Sequence, residues 1–225
     1  MSPPPSTGAL ERLGLHAVVP DVSARDGAVS VLEVGAGVGL SGLACHACGA
    51  RVLLTDGEVR LVEALRTKHA AAASPAASAI TCSAGASAAS TAERLRFGEL
   101  DWTQLEADGC ETFDVILGCE VLNPACEGEV HVPRLIGKRL RKRTDSAGAG
   151  ARGAAPPCAL LLSEVRRAET CHTAVRELQA HGLTVAAFQV CNGRELFEVA
   201  LDALPSVGAM LLLVATWPAS AVELS

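Results

Sequence analysis

The segment Glu33-Val34-Gly35-Ala36-Gly37-Val38-Gly39 sets a carboxylate two residues ahead of three glycines at alternate positions. The β-favouring run 31–34, apolar but for Glu33, reads as a buried strand that ends in the glycines and hands over to a helix at Leu40. Glycines there permit positive φ and let a ligand approach the backbone where a Cβ would obstruct it. The helix start that follows offers unpaired N–H groups to a polar ligand. A second run, Arg51-Val52-Leu53-Leu54-Thr55, closes on Asp56. A carboxylate at a neighbouring strand tip is placed to accept from ribose hydroxyls; the same group is also a candidate N-cap for a helix from Glu58 onward. Strand, glycine turn, helix, strand and acid predict a nucleoside-binding unit.

The elements that must position these residues follow from composition and periodicity. With 225 residues, 49% of them hydrophobic, the chain is long enough for one domain with a sizeable core. The longest apolar runs, 158–162 and 209–215, are far too short to span a bilayer and read as buried strands, so no membrane partner is expected. The N-terminus lacks a basic patch followed by an apolar core, so no secretory signal is read and a cytoplasmic location, with a nuclear one as the variant, is expected. Nine cysteines without paired spacing predict reduced, mostly buried thiols. Cys45-His46-Ala47-Cys48 has no second pair and is read as packing, with no metal site. A net charge of −6 argues against nucleic acid as partner, and a monomer is expected.

Residues 1–28 read as a poorly ordered extension with at most a short helix near 10–17, residues 29–217 as the folded domain and 218–225 as a tail. Low-complexity loops are expected at 73–91 and 144–157. Further strands are expected at 94–97, 113–118, 158–163, 183–190 and 209–216, with helices at 58–72, 130–143 and 168–181. This alternation predicts an α/β fold, a doubly wound, Rossmann-like, seven-stranded and mostly parallel sheet. The basic run Lys138-Arg139-Leu140-Arg141-Lys142-Arg143 reads as a solvated helix end or as a site for an acidic partner.

Two nucleoside motifs compete at the glycine turn. Gly37-Val38-Gly39-Leu40-Ser41-Gly42 spells the dinucleotide pattern G-x-G-x-x-G, but the glycine directly after the strand is Gly35. Counted from there, Leu40 falls where the third glycine belongs, whereas the frame E-x-G-x-G-x-G fits without adjustment. That frame, with Asp56, Leu100-Asp101-Trp102 and Phe113-Asp114-Val115-Ile116-Leu117-Gly118 before Cys119-Glu120, resembles the class I, seven-strand S-adenosylmethionine-dependent methyltransferases. The likeness spans residues 29–217 and is nearest to their protein-lysine branch.

The resemblance implies S-adenosylmethionine as cofactor and a lysine of a protein substrate as acceptor. It implies that Gly35, Ala36 and Gly37 line the cofactor and that Asp56 holds the ribose. Leu100, Asp101 and Trp102 would flank the adenine, and Cys119 would start the loop beside the sulfonium. Glu33 either touches the cofactor's amino group or only orders the loop; Trp102 stacks or is a core aromatic. Glu120 stands at the acid of the family's substrate-side motif or is a solvated loop carboxylate, with Asn123 as a second polar contact. Two features depart from the pattern: Asn123 stands where an aromatic is usual, and residues 1–28 hold no tryptophan. Small-molecule methylation and a non-catalytic cofactor-fold protein are the competing functions.

Overall fold

The structure, a computed structural model, describes residues 29–70, 94–104, 111–142, 156–192 and 195–218. The expectations for 1–28 and 73–91, and most of that for 144–157, lie outside the described residues. Eight strands form one sheet: β1 Ser30–Val34, β2 Arg51–Asp56, β3 Leu95–Glu99, β4 Val115–Cys119, β5 Cys158–Glu164, β6 Thr184–Cys191, β7 Glu195–Val199 and β8 Met210–Thr216. Their order is β3-β2-β1-β4-β5-β8-β6-β7. The pairs from β3 across to β5 are parallel, and β8 runs antiparallel to both β5 and β6. The first six strands therefore share one direction, and only β7 and β8 oppose it.

Among the described residues four α-helices cover the sheet: α1 Leu40–Ala47, α2 Val59–Ala70, α3 Gly128–Arg139 and α4 Ala168–Ala180. Side chains alternate across a strand, so β1 serves both faces. Leu32 and Val34 join the core with Val132, Leu135 and Ile136 of α3 and Ala174 and Leu178 of α4. Val31 joins Val52, Leu54 and Leu65 under α1 and α2. Glu33 shares that second face and is buried at 3% exposure beneath α1. Among the described residues no helix is long and apolar enough to cross a membrane.

Two sequence expectations are corrected. The sheet has eight strands, not seven: the additional β7 returns along β6 with Cys191 opposite Glu195. It is a short edge strand carrying two glutamates, so it has neither an apolar run nor a buried face to announce it. The basic run is only half a helix end. α3 stops at Arg139, and Leu140 turns extended to bridge Phe113. Arg141 then pairs with Asp114, and Lys142 lies 4.8 Å from the centre of the Trp217 ring. Leu140 is buried in this extended conformation.

α1 approaches the sheet closely because Gly42 has no Cβ: one there would meet Leu54 and Val52 and lie 2.6 Å from Glu33 Oε2. A Cβ at Gly98 in β3 meets only ordinary contacts, at 3.6 and 3.9 Å. Gly42→Ala is expected to cost about 1–3 kcal/mol by overpacking, and Gly98→Ala to be neutral or slightly stabilising. Chemical denaturation of the two variants checks this; equal losses would show that the contact at Gly42 is not limiting.

Candidate active site

The sheet reverses its order at β1, with β2 and β3 on one side and β4 and β5 on the other. In an open α/β sheet the crevice at the carboxyl ends of the strands around such a reversal is the ligand site. The predicted residues of the glycine turn, Asp56, Trp102 and Glu120 all lie at or just beyond the carboxyl ends of β1 to β4.

In the glycine turn Gly35, Gly37 and Gly39 have φ of 60, 52 and 74°. Ala36, buried between them, donates its N–H to the Thr55 carbonyl at 2.8 Å and accepts from the Gly39 N–H at 2.7 Å. Thr55 in turn donates its hydroxyl to the Glu33 carbonyl at 2.7 Å, so β2 fixes both flanks of the turn. A Cβ at Gly37 would meet nothing within 4 Å, which leaves the backbone there open to a ligand. Asp56 takes the Gly37 N–H on Oδ2 and the Glu58 N–H on Oδ1, each at 3.0 Å. A carboxylate has about four lone-pair positions, so about two remain for a ribose diol. The cap and the ribose partner are thus compatible roles of one side chain. An open glycine beside an acid with spare acceptors fits the nucleoside and short polar tail of S-adenosylmethionine.

Glu33 accepts the Gly42 N–H at 2.9 Å on Oε2 and ties β1 to α1. Burial pushes its carboxyl above the ordinary glutamate value, against the opposing pull of its hydrogen bonds from Gly42 and Ser41.

Beyond β3, Leu100 is buried and donates its N–H to the Asp56 carbonyl at 3.1 Å. Asp101 accepts the Thr103 hydroxyl and N–H and the Gln104 amide, which shape the 3₁₀ turn Trp102–Gln104. The Thr103 hydroxyl leads in holding Asp101 below the usual carboxylate range. The half-buried Trp102 ring lies over the glycine turn: a Cβ on Gly35 would sit 3.5 Å from Trp102 Cζ3.

At the end of β4 the exposed Cys119 has its thiol raised, first by partial burial of the sulfur and then by the Glu120 and Glu33 charges. Glu120 has φ of 57°, a left-handed conformation that costs a non-glycine residue about 1–2 kcal/mol. Its N–H donates to the Leu162 carbonyl at 2.9 Å. Its carboxylate accepts the Glu164 N–H at 2.6 Å and pairs with Arg166 at 3.1 Å. Asn123 accepts the Ala125 N–H on its side-chain oxygen at 3.0 Å, capping the 3₁₀ turn Pro124–Cys126.

Two residues of this site escape sequence reasoning. Val121 is seated between glycines: its methyls would lie 2.9 Å from a Cβ on Gly35 and 2.7 Å from one on Gly118, and its carbonyl abuts Gly128. Glycines at 118 and 128 around an apolar pair were the available signal. Arg166, exposed beyond β5, carries no motif at all.

A family model described as lysine methyltransferase matches residues 15–125, which span β1 through β4 and the Glu120 loop. No curated protein matches the chain. The TehB-like S-adenosylmethionine-dependent methyltransferase of Corynebacterium glutamicum is similar at 17% identity and TM-score 0.51, over 90% of this chain and 87% of that one. The magnesium protoporphyrin IX methyltransferase of Synechocystis PCC 6803, solved with bound S-adenosylmethionine, is similar at 14% identity and TM-score 0.51, over 94% and 80%. The [4+2]-cyclase SpnF is similar at 13% identity and TM-score 0.55, over 95% and 83%. These structural likenesses establish the fold, that of the class I S-adenosylmethionine-dependent methyltransferases. The family match, with the open glycine turn and Asp56, points to S-adenosylmethionine as the cofactor.

Asp56→Asn keeps an oxygen for capping and loses the charge. It is expected to hold the melting temperature while weakening S-adenosylhomocysteine by about 1–3 kcal/mol; calorimetry and a melting curve check this, and Asp56→Ala should lower both. For Glu33 the sign is that of a raised acid. Its contribution to stability is full below the ordinary glutamate value and is lost as pH rises through the raised one. Glu33→Gln is therefore expected to be neutral or stabilising at pH 7 and to lose that advantage below about pH 4. Denaturation at both pH values checks this, and a large loss at pH 7 would show that the buried charge is favourable.

Proposed function

We propose that this chain, with its class I methyltransferase fold, transfers the methyl group of S-adenosylmethionine to a lysine side chain of a protein. The observation that carries the reading is the carboxylate of Glu120, held at the end of β4 beside the glycine turn at a cost in backbone strain. Strained conformations persist where the surroundings over-determine them, and they cluster at functional sites. Glu164, also exposed, adjoins Glu120 through its N–H. The family match over residues 15–125 supports the same substrate class.

The bound cofactor supplies an electrophilic methyl group on a sulfonium and leaves as a neutral thioether. The attacking nitrogen must be a neutral amine, and taking the proton from a lysine near pKa 10.4 costs roughly 4–5 kcal/mol at pH 7. The chain's residues act on that amine by alignment and desolvation. Glu120 orients the ammonium before the proton leaves, and Asn123 Oδ1, which takes the Ala125 N–H on one lone pair, has a second with which to accept from the same ammonium. Gly35 and Gly37 give the cofactor backbone access, Asp56 holds the ribose, and Trp102 with Leu100 and Asp101 walls the adenine. Cys119, as a protonated thiol, lines the methyl side without competing as a nucleophile.

A second reading, a non-catalytic protein on the same fold, is favoured by one observation: Asn123 caps a turn where the family pattern has an aromatic. Labelled S-adenosylmethionine and a cell lysate separate the two. Label on a protein lysine, located by mass spectrometry, is the expected result. Glu120→Gln should lower it on the order of tenfold to a hundredfold, with S-adenosylhomocysteine affinity nearly unchanged. Tight cofactor binding with no labelled product overturns methylation, and label on a small molecule overturns the lysine assignment.

A further inference from the structure

Glu120 does not face the acceptor side as a bare carboxylate. Its left-handed backbone turns the side chain over the end of β5, where each oxygen has a donor: Oε1 the Glu164 N–H and Oε2 the Arg166 guanidinium. Arg166 is itself anchored at its base. The preceding Val165 is fully buried, donates its N–H to the Ala209 carbonyl and accepts from the Gly208 N–H, each at 2.8 Å. The two side chains of the pair stay 65% and 39% exposed, so an incoming cation can reach and compete for the carboxylate.

We propose that Arg166 is a positioning residue that makes the acceptor side favour the neutral amine over its ammonium form. The inference rests on the reading that the Glu120 side takes a lysine. A lone carboxylate attracts the ammonium and so favours the protonation state that cannot attack a methyl group. A guanidinium remains charged at any working pH, and beside the same carboxylate it offsets that attraction. An ammonium must displace Arg166 from Oε2, whereas a neutral amine meets an already paired carboxylate. The Glu164 N–H holds Glu120 in place while the exchange occurs. Arg167 and Glu169 at the start of α4 are the next charges along the chain and carry opposite signs.

A merely structural staple between β4 and β5 makes a different forecast, because losing it loosens the loop for any ligand. The test uses the protein saturated with S-adenosylhomocysteine at pH 7. n-Butylammonium serves as a lysine-stem probe and n-pentanol as its uncharged counterpart. Arg166→Gln and Arg166→Met should bind n-butylammonium roughly twofold to fivefold tighter than wild type, with n-pentanol unchanged. Arg166→Lys should restore the wild-type value, and Glu120→Gln added to Arg166→Gln should remove the gain. The proposal is overturned if neither neutral variant gains affinity for the cation, including the case in which no form binds it, or if the alcohol gains equally. Lysate labelling answers separately for the lysine reading. Lysine label without the affinity gain sinks this inference alone, and the gain without label leaves the electrostatics standing while the acceptor class falls.

Discussion

The cleft depends on a close approach of three backbone segments around one side chain, Val121. The turn after β1, the end of β4 and the start of α3 each present a glycine to it, at Gly35, Gly118 and Gly128. Fully burying a valine is worth about 1.5–3 kcal/mol, and Val121 is 4% exposed. Its larger effect is geometric. A methyl at any of the three glycines would push one segment away, and the glycine turn, the loop after β4 and the covering helix would separate. Trp102 leans on the same Gly35, so the 3₁₀ turn after β3 and the loop after β4 are registered against one point.

Around that point the chain spends stability on polar groups in unfavourable settings. Glu33 lies on the apolar face beneath α1, and its carboxylate is bound to a helix N–H that has no partner within the helix. Glu120 keeps a left-handed backbone that a glycine would adopt at no steric cost. Both residues bracket the switch point of the sheet. The same fold supports a cyclase and methyltransferases, so the chemistry must reside in such side chains and not in the scaffold.

The half of the site built from local signals was legible. The run from Glu33 to Asp56 announced strand, turn, helix and acid because each depends on residue types at short spacing, and Leu100-Asp101-Trp102 marked the next strand tip. What was illegible arises from contacts between distant segments. Arg166 meets Glu120 only because β4 and β5 pair in parallel. Val121 matters only because β1 and β4 are neighbours. Asn123 looked like a missing aromatic when read against a pattern; in place it is a cap for the turn that begins at Pro124. β7 was missed because an edge strand with alternating glutamates has no apolar run to mark it.

The position of β8 has a consequence for the order of assembly. It lies between β5 and β6, and β6 touches the sheet through β8 alone, its other neighbour being β7. During synthesis β1 to β5 can pair as soon as they emerge, since each finds its neighbour among earlier strands. The hairpin of β6 and β7 must wait for residues 210–216, the last strand of the fold, before it can join. Until then β5 presents an unpaired edge of seven residues, and an unpaired, largely apolar edge can recruit another chain. The β5 edge is covered only when that final strand takes its interior place, which leaves β3 and β7 as the edges of the sheet.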